Sequence, residues 1–460
     1  HKSNGRRAFL TTAAATSVLA MTRSAWSNVL GANERVRFAL IGCGGRGGIV
    51  AHNMIKTGGE LVGLCDLNPT EIEKVAKAVT HLQARKPRHY TRMEQVFEAK
   101  DIDAVIIATP DHWHAPAAVM ACQAGKDVYV EKPHAHNIWE SQQLARAAVE
   151  YGRVVQVGTQ NRSCPYVSAA RDYVKSGKLG AIHLVKVYNL KSGSPFQLGE
   201  AGQLPRDFDW NEWQGPAAER PWHQRIYHGG WHHFWTYSGG DLADDACHQI
   251  DLACMLMGEP GFPLSVSSAG GRMAHKGDDS EVPDLLETAF EFPDFIMTLE
   301  HSNYPKFMRK TTSTIRRNDE LPYWTHNATR IELYGSEMMM TIGRHGGGWV
   351  VTRLGGRPAD MMYGRPGDQP HCKDFVDSVK SRKKPNASLD KLHPSISLLH
   401  LANIAHRVGN RKLWWDDAEA QFTGDQDASA MIRREYRKGF EFPSSLSDRL
   451  RRFKDSSSYD

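Results

Sequence analysis

The chain has 460 residues with a formal net charge of +5, and 40% of it is hydrophobic. One hydrophobic core does not comfortably serve that length, so two domains are expected, and a small charge without interleaved basic and aromatic stripes argues against a nucleic-acid partner. No apolar run approaches the roughly 20 residues that cross a bilayer, so no internal membrane span is expected, and the basic run 449–454 reads as a solvated end.

Residues 1–33 are set apart as a leader. Gly5-Arg6-Arg7-Ala8-Phe9-Leu10 precedes an alanine-rich apolar stretch reaching Ala20, which resembles a twin-arginine export signal, with a cleavage site expected after Val18-Leu19-Ala20. The expectation is a periplasmic protein, or a cytoplasmic one if the leader is no functional signal. The seven cysteines, including Cys43, Cys65, Cys122 and Cys254 in apolar segments, do not read as a disulfide framework or a zinc site.

Across residues 34–160, strand-like runs at 36–41, 61–65, 104–108, 127–130 and 154–157 alternate with helical patterns at 69–84, 93–100, 116–124 and 137–151. That alternation predicts an α/β Rossmann domain, a doubly wound parallel sheet. Across residues 161–416 a helix at 165–175 is followed by strand-like runs at 182–190, 264–269, 285–292, 296–301 and 331–334, with helices at 371–382 and 394–408 and an apolar 413–415. Few helices separate these strands, which predicts an α+β domain with a large open antiparallel sheet. Residues 417–460 form a C-terminal extension. The irregular stretch 205–240 holds Trp210, Trp213, Trp222, Trp231 and Trp235, a composition that argues for order.

The first motif, Gly42-Cys43-Gly44-Gly45-Arg46-Gly47-Gly48, follows the first strand and opens a helix, so its glycines permit a tight turn and close approach to a pyrophosphate. Asp66 closes the next strand about 20 residues on, where a ribose-binding carboxylate belongs. Its charge repels a 2′-phosphate, so the expected cofactor is NAD rather than NADP. Thr109-Pro110-Asp111-His112-Trp113-His114 follows another strand end, and Thr109, Pro110, His112, Trp113 and His114 read as groups edging the cofactor. His112 and His114 have no third ligand at a recognisable spacing, so no metal site is expected.

Glu131-Lys132-Pro133 closes the strand at 127–130, and the proline keeps Lys132 extended at the carboxyl end of the sheet, where a nicotinamide ring belongs. Gly239-Gly240-Asp241 then starts a helix. At about 100° per residue, Asp244, His248 and Asp251 fall within roughly 60° of one another, opposite Leu242, Ala246, Ile250, Ala253 and Met257. Oxidation of a carbinol needs a base for the hydroxyl proton, which neutral His248 supplies with Asp244 orienting it, and a cation for the developing alkoxide, which Lys132 supplies.

The glycine fingerprint, Thr109-Pro110-Asp111-His112-Trp113-His114, Glu131-Lys132-Pro133 and the Gly-Gly-Asp helix, in that order, resemble the glucose-fructose oxidoreductase, inositol dehydrogenase and rhizopine-catabolism superfamily, Gfo/Idh/MocA. The resemblance implies that Lys132, Asp244 and His248 are catalytic and that the open sheet serves homo-oligomerisation, as a dimer or tetramer. It also makes 156–162 the crossover between domains, where Gln160 and Arg162 either face the sugar or anchor the loop. Trp231 and its aromatic neighbours either stack on a sugar or pack as a lid. The function expected is an NAD-dependent oxidoreductase acting on a sugar or glycoside. The alternatives are an NAD-dependent glycosidase, working by transient oxidation, elimination and re-reduction, and a non-catalytic sensor.

Overall fold

Strands Val36–Ile41 (β1), Gly59–Cys65 (β2), Arg88–Tyr90 (β3), Ala104–Ile107 (β4), Asp127–Val130 (β5) and Val155–Val157 (β6) form one parallel sheet in the order β3-β2-β1-β4-β5-β6. The computed structural model describes residues 35–447 and 450, so the expected leader and export signal lie outside the described residues. β4 and β5 are buried along their whole length, as parallel strands covered on both faces must be. β3 carries Arg88 and His89 on an edge and is largely exposed, which is why no apolar pattern announced it.

Helices Gly45–Lys56 (α1), Pro69–Val79 (α2), Met93–Glu98 (α3), Asp111–Gln123 (α4) and Ile138–Glu150 (α5) link the strands. Asn68 and Asn137 cap α2 and α5, accepting from the main-chain N-H of Thr70 and Glu140. α4 begins five residues before the expected start at 116, with Pro116 inside it. A proline there leaves the carbonyl four residues earlier, that of His112, without its helical donor. Arg434, from the C-terminal extension, supplies the missing N-H at 2.7 Å.

The second domain starts with Pro165–Lys175 (α6) and Ile182–Leu190 (β7). Its other strands are Ser265–Gly271 (β8), Leu285–Glu291 (β9), Ile296–Ser302 (β10), Arg330–Gly335 (β11), Met339–Gly343 (β12), Trp349–Thr352 (β13), Pro358–Met362 (β14), Leu413–Asp416 (β15) and Gln421–Phe422 (β16). They form a ten-stranded sheet in the order β14-β13-β12-β11-β7-β10-β9-β8-β15-β16. Neighbours run antiparallel except β7 and β10, which are parallel, so the sheet is mixed where an antiparallel one was expected. Short helices Trp210–Gln214 (α7), Gln224–Tyr227 (α8) and Gly240–Asp244 (α9) precede Ala246–Leu256 (α10), and Ser313–Arg317 (α11), Asp368–Ser381 (α12) and Leu389–Arg407 (α13) follow.

α10 and α13 pack on each other and against β7 and β8, covering one face of the sheet. α12 instead returns to the nucleotide-binding domain, where Phe375, Val376 and Val379 join Val36, Phe38, Val50 and Met54 in one apolar cluster. A third cluster belongs to the tryptophan-rich stretch: Phe196, Phe208, Trp210, Trp213, Ile226, Phe234 and Tyr237, with Trp210 and Trp213 stacked at 4.4 Å. The C-terminal extension packs on both this stretch and α5. Arg434 pairs with Glu140 at 2.7 Å, Arg437 donates to the carbonyls of Asn211 and Gly215, and Phe442 packs edge-on against Trp139.

Candidate active site

The strand order reverses direction between β1 and β4, and ligands of such sheets bind at that point, outside the carboxyl ends of the strands. A cavity of about 520 Å³ opens there, lined by Gly42, Gly44, Gly45, Arg46, Asp66, Thr109, Pro110 and Trp113 from the nucleotide-binding domain. Two glycines are required by the backbone. Gly42 has φ +91° and lies under the Ala108 carbonyl, and a Cβ on Gly47 would sit 2.1 Å from the Gly42 carbonyl oxygen. A Cβ on Gly44 or Gly45 would meet nothing within 4 Å, so the backbone at the uncapped start of α1 faces open space, a cradle that a pyrophosphate fits. Asp66 accepts from the N-H of Cys43 at 2.7 Å and of Asn68 at 2.9 Å, which aims the carboxylate at this cavity.

The tryptophan-rich stretch roofs the cavity with Trp213, Tyr227, His228 and Trp231. Asn68 Nδ2 donates to the Tyr227 hydroxyl at 2.9 Å, and Trp113 Nε1 donates to the Trp213 carbonyl at 3.1 Å, so the roof is fastened on two sides. A second, polar cavity of about 290 Å³ adjoins it. Lys191, Ser192, Ser194, Asp241, Asp244 and Asn303 are among its lining residues, and Gly229 and His232 border both cavities.

Lys132, just beyond β5, donates through Nζ to the main-chain carbonyl of Asp244 at 2.7 Å and also to its carboxylate. Burial opposes the charge on Lys132, but Asp244, then Cys247 and Glu131, more than offset it and hold the ammonium above its usual range. Burial likewise opposes the Asp244 carboxylate, and Lys132 with His232 holds it well below the usual range. The pair is therefore charged across the working pH range. Asp111 lies behind it, accepting from Ser238 Oγ at 2.7 Å. Burial, reinforced by Asp244, pushes its carboxyl up to about 8.

Several sequence-derived assignments need correction. His112 and His114 belong to α4, not to a loop, and both are buried. His112 Nε2 bonds the Trp213 carbonyl, and His114 bridges the carbonyls of Pro133 and Thr109, so they fix the backbone around the site and do not line the nucleotide cavity. Glu131 is buried beneath Arg46, bonded at 2.8 Å. Arg162 does not face a sugar: its side chain is 2% exposed and pairs with Asp251 at 2.6 Å and Glu259 at 2.7 Å, anchoring the crossover. Gln160 donates to the Tyr129 hydroxyl at 3.1 Å. Trp231 lines the nucleotide cavity, so it belongs to the lid.

The predicted helical face is also divided. α9 ends at Asp244 and α10 starts at Ala246, and Asp251 lies in the core with Arg162. His248 is buried beside Arg344, and burial, with Arg344 and Lys132, keeps its imidazole neutral. Sequence reasoning missed Asp111, Lys191 and His232. Lys191 carried no motif, whereas His232 sat in the aromatic stretch already singled out.

The family description "Oxidoreductase family, NAD-binding Rossmann fold" matches residues 36–159, and "Oxidoreductase family, C-terminal alpha/beta domain" matches residues 188–276 and 359–442. The chain belongs to this Gfo/Idh/MocA family and carries its NAD-binding fold. It is 38% identical over 120 residues to a glycosyl hydrolase family 109 protein of Shewanella pealeana, covering 25% of this chain and 26% of that protein. It is 30% identical over 227 residues to the scyllo-inositol 2-dehydrogenase (NAD(+)) of Bacillus subtilis, covering 49% of this chain and 55% of that one. The WlbA dehydrogenase from Bordetella pertussis, solved in complex with NADH and UDP-GlcNAcA, shares the fold at a TM-score of 0.58 and 19% identity, covering 83% of this chain and 99% of the other. The chain thus spans about a quarter to about half the length of these two curated relatives.

Proposed function

We propose that the protein is an NAD-dependent oxidoreductase that moves a hydride between a sugar or sugar-derivative carbinol and a tightly held nicotinamide cofactor. The observation that carries this reading is the Lys132–Asp244 pair, whose aspartate lines the polar chamber that adjoins the nucleotide cavity. NAD, when bound, supplies the hydride acceptor. The Lys132 ammonium, held charged, stabilises negative charge growing on the substrate oxygen, and Asp244 fixes its position. A neutral imidazole accepts the hydroxyl proton, a part the sequence spacing gives to His248. Ser192, Ser194, Ser280, His275 and Asn303 in the chamber wall offer donors and acceptors suited to a polyhydroxylated ring.

The aromatic roof supports slow exchange of the nucleotide, and the leader pattern supports export to the periplasm, where a resident cofactor is an advantage. Homo-oligomerisation fits the face of the second sheet that α10 and α13 leave uncovered. The likeness to a glycosyl hydrolase family 109 protein supports a second reading, a redox glycosidase. Both readings are tested together by incubating the purified protein with free sugars, polyols and aryl glycosides while following nicotinamide absorbance and aglycone release. Net NADH from free sugars supports the oxidoreductase. Aglycone release without net NADH replaces it with the glycosidase, and neither signal across the panel refutes both.

A further inference from the structure

Four carboxylates line the polar chamber, those of Asp241, Asp244, Asp278 and Asp284, and among its described lining residues the fixed cations are Lys191 and Arg272. Both cations are already committed. Lys191 Nζ donates to the Asp241 carboxylate and lies 3.1 Å from that of Asp245. Arg272 donates to the carbonyls of Val282 and His275, each at 3.0 Å, and pairs with Asp278. The cations behind the wall are no freer. Lys132 holds Asp244, while Lys310 and Arg344 share the Asp245 carboxylate with Lys191, at 2.9 and 3.5 Å. Every one of these carboxylates thus has one of these cations at ion-pair distance.

The rest of the polar lining is made of hydroxyls, an amide and imidazoles. Ser192, Ser194 and Asn303 stand on one side. His232 Nδ1 and His275 Nε2 are buried and have no hydrogen-bond partner among the described residues, so each is completed only by a guest. Burial lowers His232 and holds His233 down to about 4, which keeps both rings uncharged. A hydroxyl both donates and accepts, and so satisfies imidazole nitrogens and carboxylate oxygens alike. A carboxylate or a phosphate only accepts. It would enter among four carboxylates, and drawing Lys191 or Arg272 away to receive it would strand the charges those cations now neutralise.

We propose that the chamber takes an uncharged polyhydroxylated ring and rejects the same ring bearing a carboxylate or a phosphate. The inference rests on the oxidoreductase reading above and narrows its substrate class. Discrimination comes from what the wall withholds, a cation free to pair, and from the carboxylates it sets against a second negative charge. Neutral sugars meet neither obstacle.

The experiment follows NADH formation at pH 8, above the ordinary imidazole value of about 6.5, with glucose, glucuronamide, glucuronate and glucose 6-phosphate, and with the corresponding galactose series. In the series the wild type accepts, sugar and amide are expected within about tenfold of each other in kcat/KM, with carboxylate and phosphate at least about 100-fold below them. The amide has the shape of the carboxylate without its charge, so size alone does not produce that split. Ser192→Lys and Ser194→Lys, at exposed positions of the chamber wall, each add an ammonium with no carboxylate assigned to it. At least one of them should raise kcat/KM for the carboxylate about tenfold or more. The proposal is overturned if carboxylate or phosphate is oxidised within about tenfold of the neutral sugar, if the amide fares no better than the carboxylate, or if neither lysine variant changes the ratio of carboxylate to neutral sugar. Any of these leaves the oxidoreductase reading standing. A wild type inert toward both series and toward the wider panel above removes that reading and this inference with it.

Discussion

Lys132 Nζ takes the main-chain carbonyl of Asp244 at 2.7 Å because the helix does not use it. In an unbroken helix that carbonyl would accept from the N-H of His248, but the His248 N-H turns to the Asp245 carbonyl at 3.2 Å. The break between α9 and α10 thus presents a carbonyl and a carboxylate of one residue to one ammonium. It also joins the nucleotide-binding domain to the second domain beside the polar chamber that Asp244 lines.

Replacing Lys132 by Ala should therefore abolish turnover and spare the cofactor. We expect kcat to fall about 10²- to 10³-fold, the scale of losing one charge-stabilising donor, with NADH binding within a few-fold of wild type. Steady-state rates beside a fluorescence titration check this, and a variant keeping a tenth of its turnover would sink the role given to Lys132.

Asp66 should govern cofactor choice. The wild type is expected to favour NAD over NADP in kcat/KM, and Asp66→Ala should narrow the ratio by removing charge repulsion against a 2′-phosphate. An unchanged ratio in the variant would place the discrimination elsewhere.

The Asn68–Tyr227 hydrogen bond should slow nucleotide release. Tyr227→Phe removes one bond worth about 1 kcal/mol, so NADH dissociation followed by stopped flow should quicken about fivefold. Equal rates would mean that the roof opens without breaking this contact.

Arg162 should matter for stability rather than catalysis. Arg162→Ala leaves the Asp251 carboxylate buried without its cation, a loss of about 3–5 kcal/mol. Urea unfolding measures it; a loss below about 1 kcal/mol would contradict the core ion pair.

Acid and alkali should weaken the fold through different groups. Burial holds His301, His371, His393 and His400 near 4 and His112 near 3, against about 6.5 in an unfolded chain. Below that value the unfolded chain binds protons the folded one refuses, so their stability is full above about pH 6.5 and declines toward pH 4. Asp111 has the opposite sign. With its folded carboxyl near 8, it contributes fully below about pH 3.9, and the contribution is lost as pH rises through 8. Melting temperatures across pH 4–9 should show both slopes, and Asp111→Asn should flatten only the alkaline one.

The sequence carried the repeating parts of this structure. The limits of β1, β5, α6 and β7 coincide with its apolar runs, because buried strands and an amphipathic helix write their period into neighbouring residues. It misread what depends on distant partners. The start of α4 is hidden by Pro116, whose cost is met by Arg434, 322 residues from His112. The break falls at Asp245, whose buried carboxylate pairs with Lys191, Lys310 and Arg344, all distant in sequence. Arg162 looked like a ligand because its partners, Asp251 and Glu259, are close only in the fold. Of the site, Lys132, Asp244 and the glycine cradle were legible, while His232 has no spacing relation to either motif.

The bonds from Arg437 let a distant segment govern the site. They reach from the C-terminal extension to the carbonyls of Asn211 and Gly215, the latter 222 residues away in sequence, and Arg437 itself lines no part of the nucleotide cavity. A proteolytic nick just before Arg437 would therefore loosen the roof over the nucleotide without removing any residue that touches it.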